Sequence, residues 1–320
     1  MTRRARRNDL RAAMAFLLPN FLGFVIFTSG PVLFSLGVSF TNWNLQQTVP
    51  FRWTGVGNFV KLTQDRDFWL YAVNTVYFLI GIPLSIAGSL ALALLLSQRL
   101  RGIVVYRTLF YLPSFTSGVA LMILWKALYN PDFGPINAFL DWLGHTLRVA
   151  LPQPEWLLST RNLLGLQVEQ VGVALRQWGL GARDAIVIMG IWTAIGGNNM
   201  LLYLAALTNV PQELTEAASL DGAGRWEVFR YVTWPQLAPT TFFIVVMSFI
   251  GGLQGGFEQA RVMTSGGPAG TTTTLAYYIY TKAFEEFQIG YASAISWVLF
   301  AIIFAVTLVN WRFGSKELSY

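Results

Sequence analysis

Six stretches of this chain carry no Asp, Glu, Lys or Arg over the length a helix needs to cross a hydrocarbon layer about 30 Å thick. They run Ala12 to Phe51, Phe68 to Gln98, Thr108 to Trp125, Ala185 to Gln212, Tyr231 to Phe257 and Phe287 to Trp311. Within lipid every backbone N–H and C=O must be satisfied inside the segment, so each stretch must be a helix. The expectation is therefore an all-α integral membrane protein with six transmembrane helices, at 17–40, 71–97, 108–129, 185–207, 236–256 and 288–311. Composition agrees: 54% of residues are apolar, 15% aromatic and 12% charged, the last about half the share of a soluble domain. A chain so poor in charge cannot cover its own surface in water.

Several function classes fall away at once. The chain has no cysteine, which excludes disulfides, thiol catalysis and thiolate metal sites. The single His145 cannot build a histidine metal centre. An embedded enzyme would need His, Asp or Glu clustered at membrane depth, and the crossings are charge-free. Nucleic-acid binding is not expected either, because the basic residues are not interleaved with aromatics on a polar domain.

An even number of crossings puts both termini on one side. Arg3, Arg4, Arg6, Arg7, Arg11, Arg99, Arg101, Arg107, Arg225, Arg230, Arg312 and Lys316 make up more than half of the 22 basic residues, packed into the short segments of that side. Retention of positive charge in the cytoplasm then makes both termini cytoplasmic. The remaining boundaries are a basic N-terminus at 1–16, inner loops at 98–107 and 208–235, a tail at 312–320, and outer segments at 41–70, 130–184 and 257–287. The first apolar run is too long for a secretory signal and lacks a small-x-small cleavage site, so it stays as an anchor. In the outer segment 130–184, Ile136 to Leu143 reads as one short interfacial helix. The stretch LGLQVEQVGVALRQWGLG reads as an external amphipathic helix packed on the crossings, although Leu166, Val168, Val171, Val173 and Leu175 alternate imperfectly with Glu169, Gln170, Arg176 and Gln177.

The inner loop NVPQELTEAASLDGAGRWEVFRYVTWPQLAP predicts two short helices at a bend. Pro211 suits a first helical turn, and Glu213 and Glu216 suit the positive end of a helix. Asp221 to Gly224 break the run. The second helix, from about Arg225 to Thr233, places Trp226, Phe229 and Val232 near one face, and Pro235 ends it. Such an apolar ridge fits either a groove on a partner or the lipid headgroups.

This loop resembles the EAA loop of the permease subunits of binding-protein-dependent ABC importers. The matching positions are Glu216, Ala217 and Ala218, then Gly222, then Val232 and Pro235, with Trp234 where the family usually has Leu. The upstream LAALTNVP, the DGAG with Trp226 and Phe229, the TSGGPAGTTTTLAYYIYTKAF and the GYASA are similar to segments of the carbohydrate-importing branch, the maltose and glycerol-phosphate permeases. The resemblance implies the type I ABC importer permease fold and a transport subunit rather than an enzyme, in a bacterial or archaeal plasma membrane. It implies a second permease, two ATP-binding subunits, an extracytoplasmic solute-binding protein and a sugar or related polyol as partners. No G-x-x-x-x-G-K-[ST] occurs in the chain, so ATP and Mg would sit on the partner subunits and this chain would hold no cofactor. Coupling to the ATPase would fall to Glu216, Ala217, Ala218, Asp221, Gly222, Gly224, Trp226, Phe229, Val232 and Pro235. A passive channel or scaffold without ATP coupling is the alternative.

A translocation path needs polar or aromatic groups at mid-membrane. Trp192, Asn198 and Asn199 supply them in the fourth crossing, where Gly196 and Gly197 invite a kink. Gln254 and Glu258 supply them in the fifth, among four glycines. The other reading is that the glycines serve helix packing and the amides bond neighbouring helices.

Overall fold

A computed structural model describes residues 3–47, 50–98, 101–166, 168–170, 173–175 and 178–314. It is helical almost throughout, and the chain packs as two units, 1–65 with 279–300 and 66–278 with 301–320.

In the first unit a helix begins at Arg3, passes through a π-helical segment, Phe24–Ser29, and continues as Gly30–Ser39. A short bridge between Thr41 and Trp53 closes the loop that follows. Asn58 holds this turn to the helix end by donating to the carbonyls of Ser39 and Thr41, both at 2.8 Å. Tyr291 donates to Asp65, and Lys61 lies 4.4 Å from the centre of the Tyr291 ring. Phe16 and Phe27 are exposed, as suits side chains facing lipid.

The second unit carries the polar loop and the candidate path. Among the described residues, five helices are long and apolar enough to cross a membrane: Ala13–Ser39, Arg66–Leu96, Ala182–Thr208, Arg225–Gln254 and Ile289–Arg312. A sixth crossing exists only if the pair Ile103–Phe115 and Gly118–Leu128 is taken as one span, and its arms meet at 96°. The single helix expected over 108–129 is thus corrected to a broken one. Pro113 removes a backbone donor near the end of the first arm, and Thr116 and Ser117 adopt ψ 139° and 127°. Helical hydrogen bonding cannot pass through two extended residues, so the chain stops and restarts.

Two further expectations need correction. Pro235 does not end the second helix of the polar loop: Arg225–Val228, a π-helical segment Phe229–Thr233 and Trp234–Gln254 run on as one 30-residue helix. The widened turn precedes Pro235, which sits where a missing N–H costs least. The external amphipathic helix is replaced by an antiparallel hairpin, Val168–Gln170 against Val173–Leu175. Apolar and polar residues alternating along that stretch have the period of a strand, not of a helix. Val171, Arg176 and Gln177, part of that reading, lie outside the described residues. The short helix expected over Ile136–Leu143 runs from Pro135 to Leu147.

Two apolar clusters hold this unit. One gathers Leu92, Ala93, Leu96, Met200, Tyr203, Leu204 and Ile244. The other gathers Met122, Trp125, Tyr129, Trp156, Ala185, Ile186, Met189 and Met263. Beside the latter lies a buried polar network. Arg183, 1% exposed, donates from Nε and Nη2 to Asn74 Oδ1 at 2.9 and 2.6 Å and from Nε to the Thr271 carbonyl at 3.0 Å. Asn74 donates in turn to the carbonyls of Gly270 and Thr273. Asp184 accepts from the Tyr77 hydroxyl and from the Gly181 N–H. Charge at the end of an apolar helix survives only with such partners.

Candidate functional site

The polar loop folds by local rules. Helix Gln212–Leu220 starts after Pro211 and stops at Gly222, whose φ is +87°. The Ala223 N–H bonds the Ala218 carbonyl at 3.0 Å and the Gly222 N–H bonds the Ser219 carbonyl at 3.2 Å. This is the paired closure of a Schellman motif, which needs a left-handed residue at the glycine position. The next helix starts at Gly224, whose N–H is bound by Glu227 Oε2 at 2.5 Å. A bend fixed by backbone bonds on one side and by the Glu227 carboxylate on the other thus separates the two helices.

The side chains divide into two groups. Glu216, Ala217, Asp221, Gly222, Gly224 and Pro235 are exposed, and Ala218 and Val232 are half-buried. Glu216 accepts from Gln212 Nε2 at 2.8 Å, and Leu214 and Leu220 beside it are open, Leu220 to 88%. An anion among small and apolar groups on a short stiff helix is a surface suited to docking. Trp226 and Phe229 turn elsewhere: their rings pack at 5.5 Å, Phe229 packs at 6.3 Å on Trp234, and all three line a groove with Ile82, Ile86 and Leu90.

The candidate path is built around the broken helix. Helix Ala182–Ile195 stops at Gly196 and Gly197, and Asn198–Thr208 restarts after them. Gly196 lies so close to the arm Ile103–Phe115 of the broken helix that a Cβ there would sit 2.0 Å from the Phe110 carbonyl oxygen. Across this contact the Tyr111 hydroxyl donates to Asn198 Oδ1 at 3.0 Å, with the Phe115 ring edge-on to Tyr111 at 4.8 Å. Trp192 is 48% exposed, stands edge-on to Trp125 at 5.5 Å, and lines a cavity of about 410 Å³ with Tyr106, Phe110, Pro113 and Gly196. Asn199 is half-buried beside Asn198.

Gln254 and Glu258 flank a second interruption, where Gly255 and Gly256 separate Trp234–Gln254 from Phe257–Gln259. Both side chains are exposed. Glu258 Oε2 lies 3.2 Å from where a Cβ on Gly118 would stand, at the N-terminus of helix Gly118–Leu128, whose Ser117 makes no side-chain cap. A carboxylate there is favoured by about 0.3–1 kcal/mol through the exposed N–H groups. Among the described residues no hydrogen bond joins Asn198 or Asn199 to Gln254 or Glu258. The bent pair links them: Tyr111 on one arm holds Asn198, Trp125 on the other meets Trp192, and Gly118 meets Glu258. Tyr111, Phe115 and Trp125 are absent from the sequence reading. The signal available for them was the breaker-rich LPSFTSG between the arms.

Comparison with known proteins places these features in a recognisable setting. Residues 81–312 match the model of the binding-protein-dependent transport system inner membrane component. The chain is 35% identical to YesP of Bacillus subtilis, described as a probable ABC transporter permease protein, over 99% of this chain and 94% of that protein. It is 31% identical to the lactose transport system permease protein LacF of Rhizobium radiobacter, over 94% and 93%. Among solved structures it resembles a chain of a bacterial ABC transporter involved in the import of the acidic polysaccharide alginate. That likeness has a TM-score of 0.74 at 25% identity and covers 97% of this chain and 96% of the other.

Proposed function

Because this chain belongs to the inner membrane components of binding-protein-dependent transport systems, we propose that with a second permease subunit it forms the path for a sugar or related polyol. A solute-binding protein delivers that cargo from outside the plasma membrane, and two separate ATP-binding subunits, holding ATP and Mg, supply the work. Both termini face the cytoplasm, as the Arg-rich N-terminus and the basic residues Arg225 and Arg230 of the polar loop argue. The cargo class follows the relatives, whose names specify lactose and sn-glycerol-3-phosphate transport.

The observation that carries the coupling half is the exposed helix Gln212–Leu220, closed by Gly222 and followed directly by a helix that runs on as a span. Glu216 offers a charge to a basic residue on the ATPase, Ala217 and Ala218 permit close approach, and the Gly222 bend fixes the angle. Motion of a docked ATPase is then passed to the span as rigid-body rotation. Along the path, Trp192 offers a ring face to a sugar, while Tyr111, Asn198, Asn199, Gln254 and Glu258 offer hydrogen bonds to hydroxyls.

The test uses the reconstituted complex with its binding protein. ATP hydrolysis should rise when the binding protein is loaded with sugar; indifference to loading would point to a passive channel. Glu216→Lys and Gly222→Asp should insert normally yet lose transport or coupled hydrolysis, and full transport in both would refute the coupling role.

A further inference from the structure

The groove lined by Trp226, Phe229 and Trp234 has a composition that the transport reading leaves unused. It has a volume of about 740 Å³, within the ~300–1,000 Å³ typical of small-ligand sites. Its walls are mainly two of the apolar spans, Arg66–Leu96 and Arg225–Gln254, with Tyr203 added from Ala182–Thr208. From Trp234 to Phe249 it follows about 22 Å of helix, more than half of a hydrocarbon layer ~30 Å thick. Along that length the lining is Ile82, Pro83, Ile86, Ala87, Leu90, Val245 and Phe249, with the ring of Tyr203, whose hydroxyl donates to Thr241 at 3.2 Å. Its other end is different: Arg230, the single charged lining residue, sits there with the indoles of Trp226 and Trp234. Arg230 is exposed, and its guanidinium carbon lies 5.9 Å from the Tyr231 ring centre.

A long apolar channel ending in one cation and two amphipathic rings has the polarity of a single lipid. Tryptophan favours the headgroup level, a guanidinium binds phosphate through two parallel hydrogen bonds, and the channel has the dimensions of an acyl chain. We propose that this groove binds one anionic phospholipid, with its acyl chain between the two spans and its phosphate on Arg230.

The experiment uses the assembled transporter in nanodiscs of phosphatidylcholine with a minority of phosphatidylglycerol, with lipid carried through purification read by native mass spectrometry. A basic side chain at a membrane surface contributes about fivefold to the retention of an anionic headgroup. Arg230→Gln should therefore lower retained phosphatidylglycerol about fivefold and leave phosphatidylcholine unchanged. Ala87→Trp, an exposed position on the channel wall, should lower both lipids by filling it. Subunit co-purification checks that both variants assemble. Equal phosphatidylglycerol retention in wild type and both variants overturns the proposal. So does a photo-crosslinker at Ile86 that labels only the second permease and no lipid. Transport can persist in either case, so failure here is distinct from failure of the transport reading.

Discussion

Two glycines, Gly222 in the polar loop and Gly196 in the broken span, sit at helix ends for opposite reasons. Gly222 has nothing within 4 Å of a would-be Cβ, and its requirement is wholly its own φ of +87°. Gly196 has ordinary dihedrals, and its requirement is wholly another segment, the Phe110 carbonyl oxygen. The loop is thus shaped by local backbone chemistry and can keep its form while the rest of the molecule moves. The path is shaped by contact between segments and keeps its form only while they stay together.

The largest effect is expected at Gly196→Ala, where a backbone oxygen cannot swing aside as a side chain would. We expect a loss of about 3 kcal/mol or more, seen as a lowered midpoint in thermal unfolding of the purified complex together with lost transport. Next is Asn74→Ala, which leaves the buried Arg183 guanidinium without its main acceptor. A loss of about 2–3 kcal/mol is expected in the same assay, and a neutral result would mean that the network does not hold the ends of the spans. Gly222→Ala should cost only about 1 kcal/mol, the left-handed penalty alone. If it proves as damaging to stability as Gly196→Ala, the contrast between local and contact-made ends fails. Smallest is Glu227→Ala, which removes one exposed bond to the Gly224 N–H and should cost about 0.5 kcal/mol.

The same contrast explains what the sequence disclosed. The helix, stop and restart around Gly222 were readable because every partner lies within six residues, and the spans were readable because charge is absent from them. The kink at Gly196 and Gly197 was readable as a weakness in the helix, yet the Phe110 carbonyl that fills it was not. Arg183 and Asn74 are 109 residues apart, and no local pattern announces such a pair. The hairpin at Val168–Gln170 was misread because its alternation is short and interrupted by glycine. The break at Thr116 and Ser117 was missed because a charge-free stretch signals a crossing whether or not its helix is continuous. Tyr111 went unread with it, since its value lies in facing Asn198 across that break.

The helix that passes Pro235 without stopping has a mechanical corollary. Thirty residues of uninterrupted helix make a bar about 45 Å long, with one end beside the Gly222 turn and the other at Gln254, at the mouth of the glycine-rich interruption. Its two compliant points, the π-helical segment Phe229–Thr233 and Pro239, both lie in its first half, so a tilt imposed beyond them reaches the far tip along regular helix. Over that length a small tilt at the loop becomes a larger displacement of Gln254 beside Gly255 and Gly256.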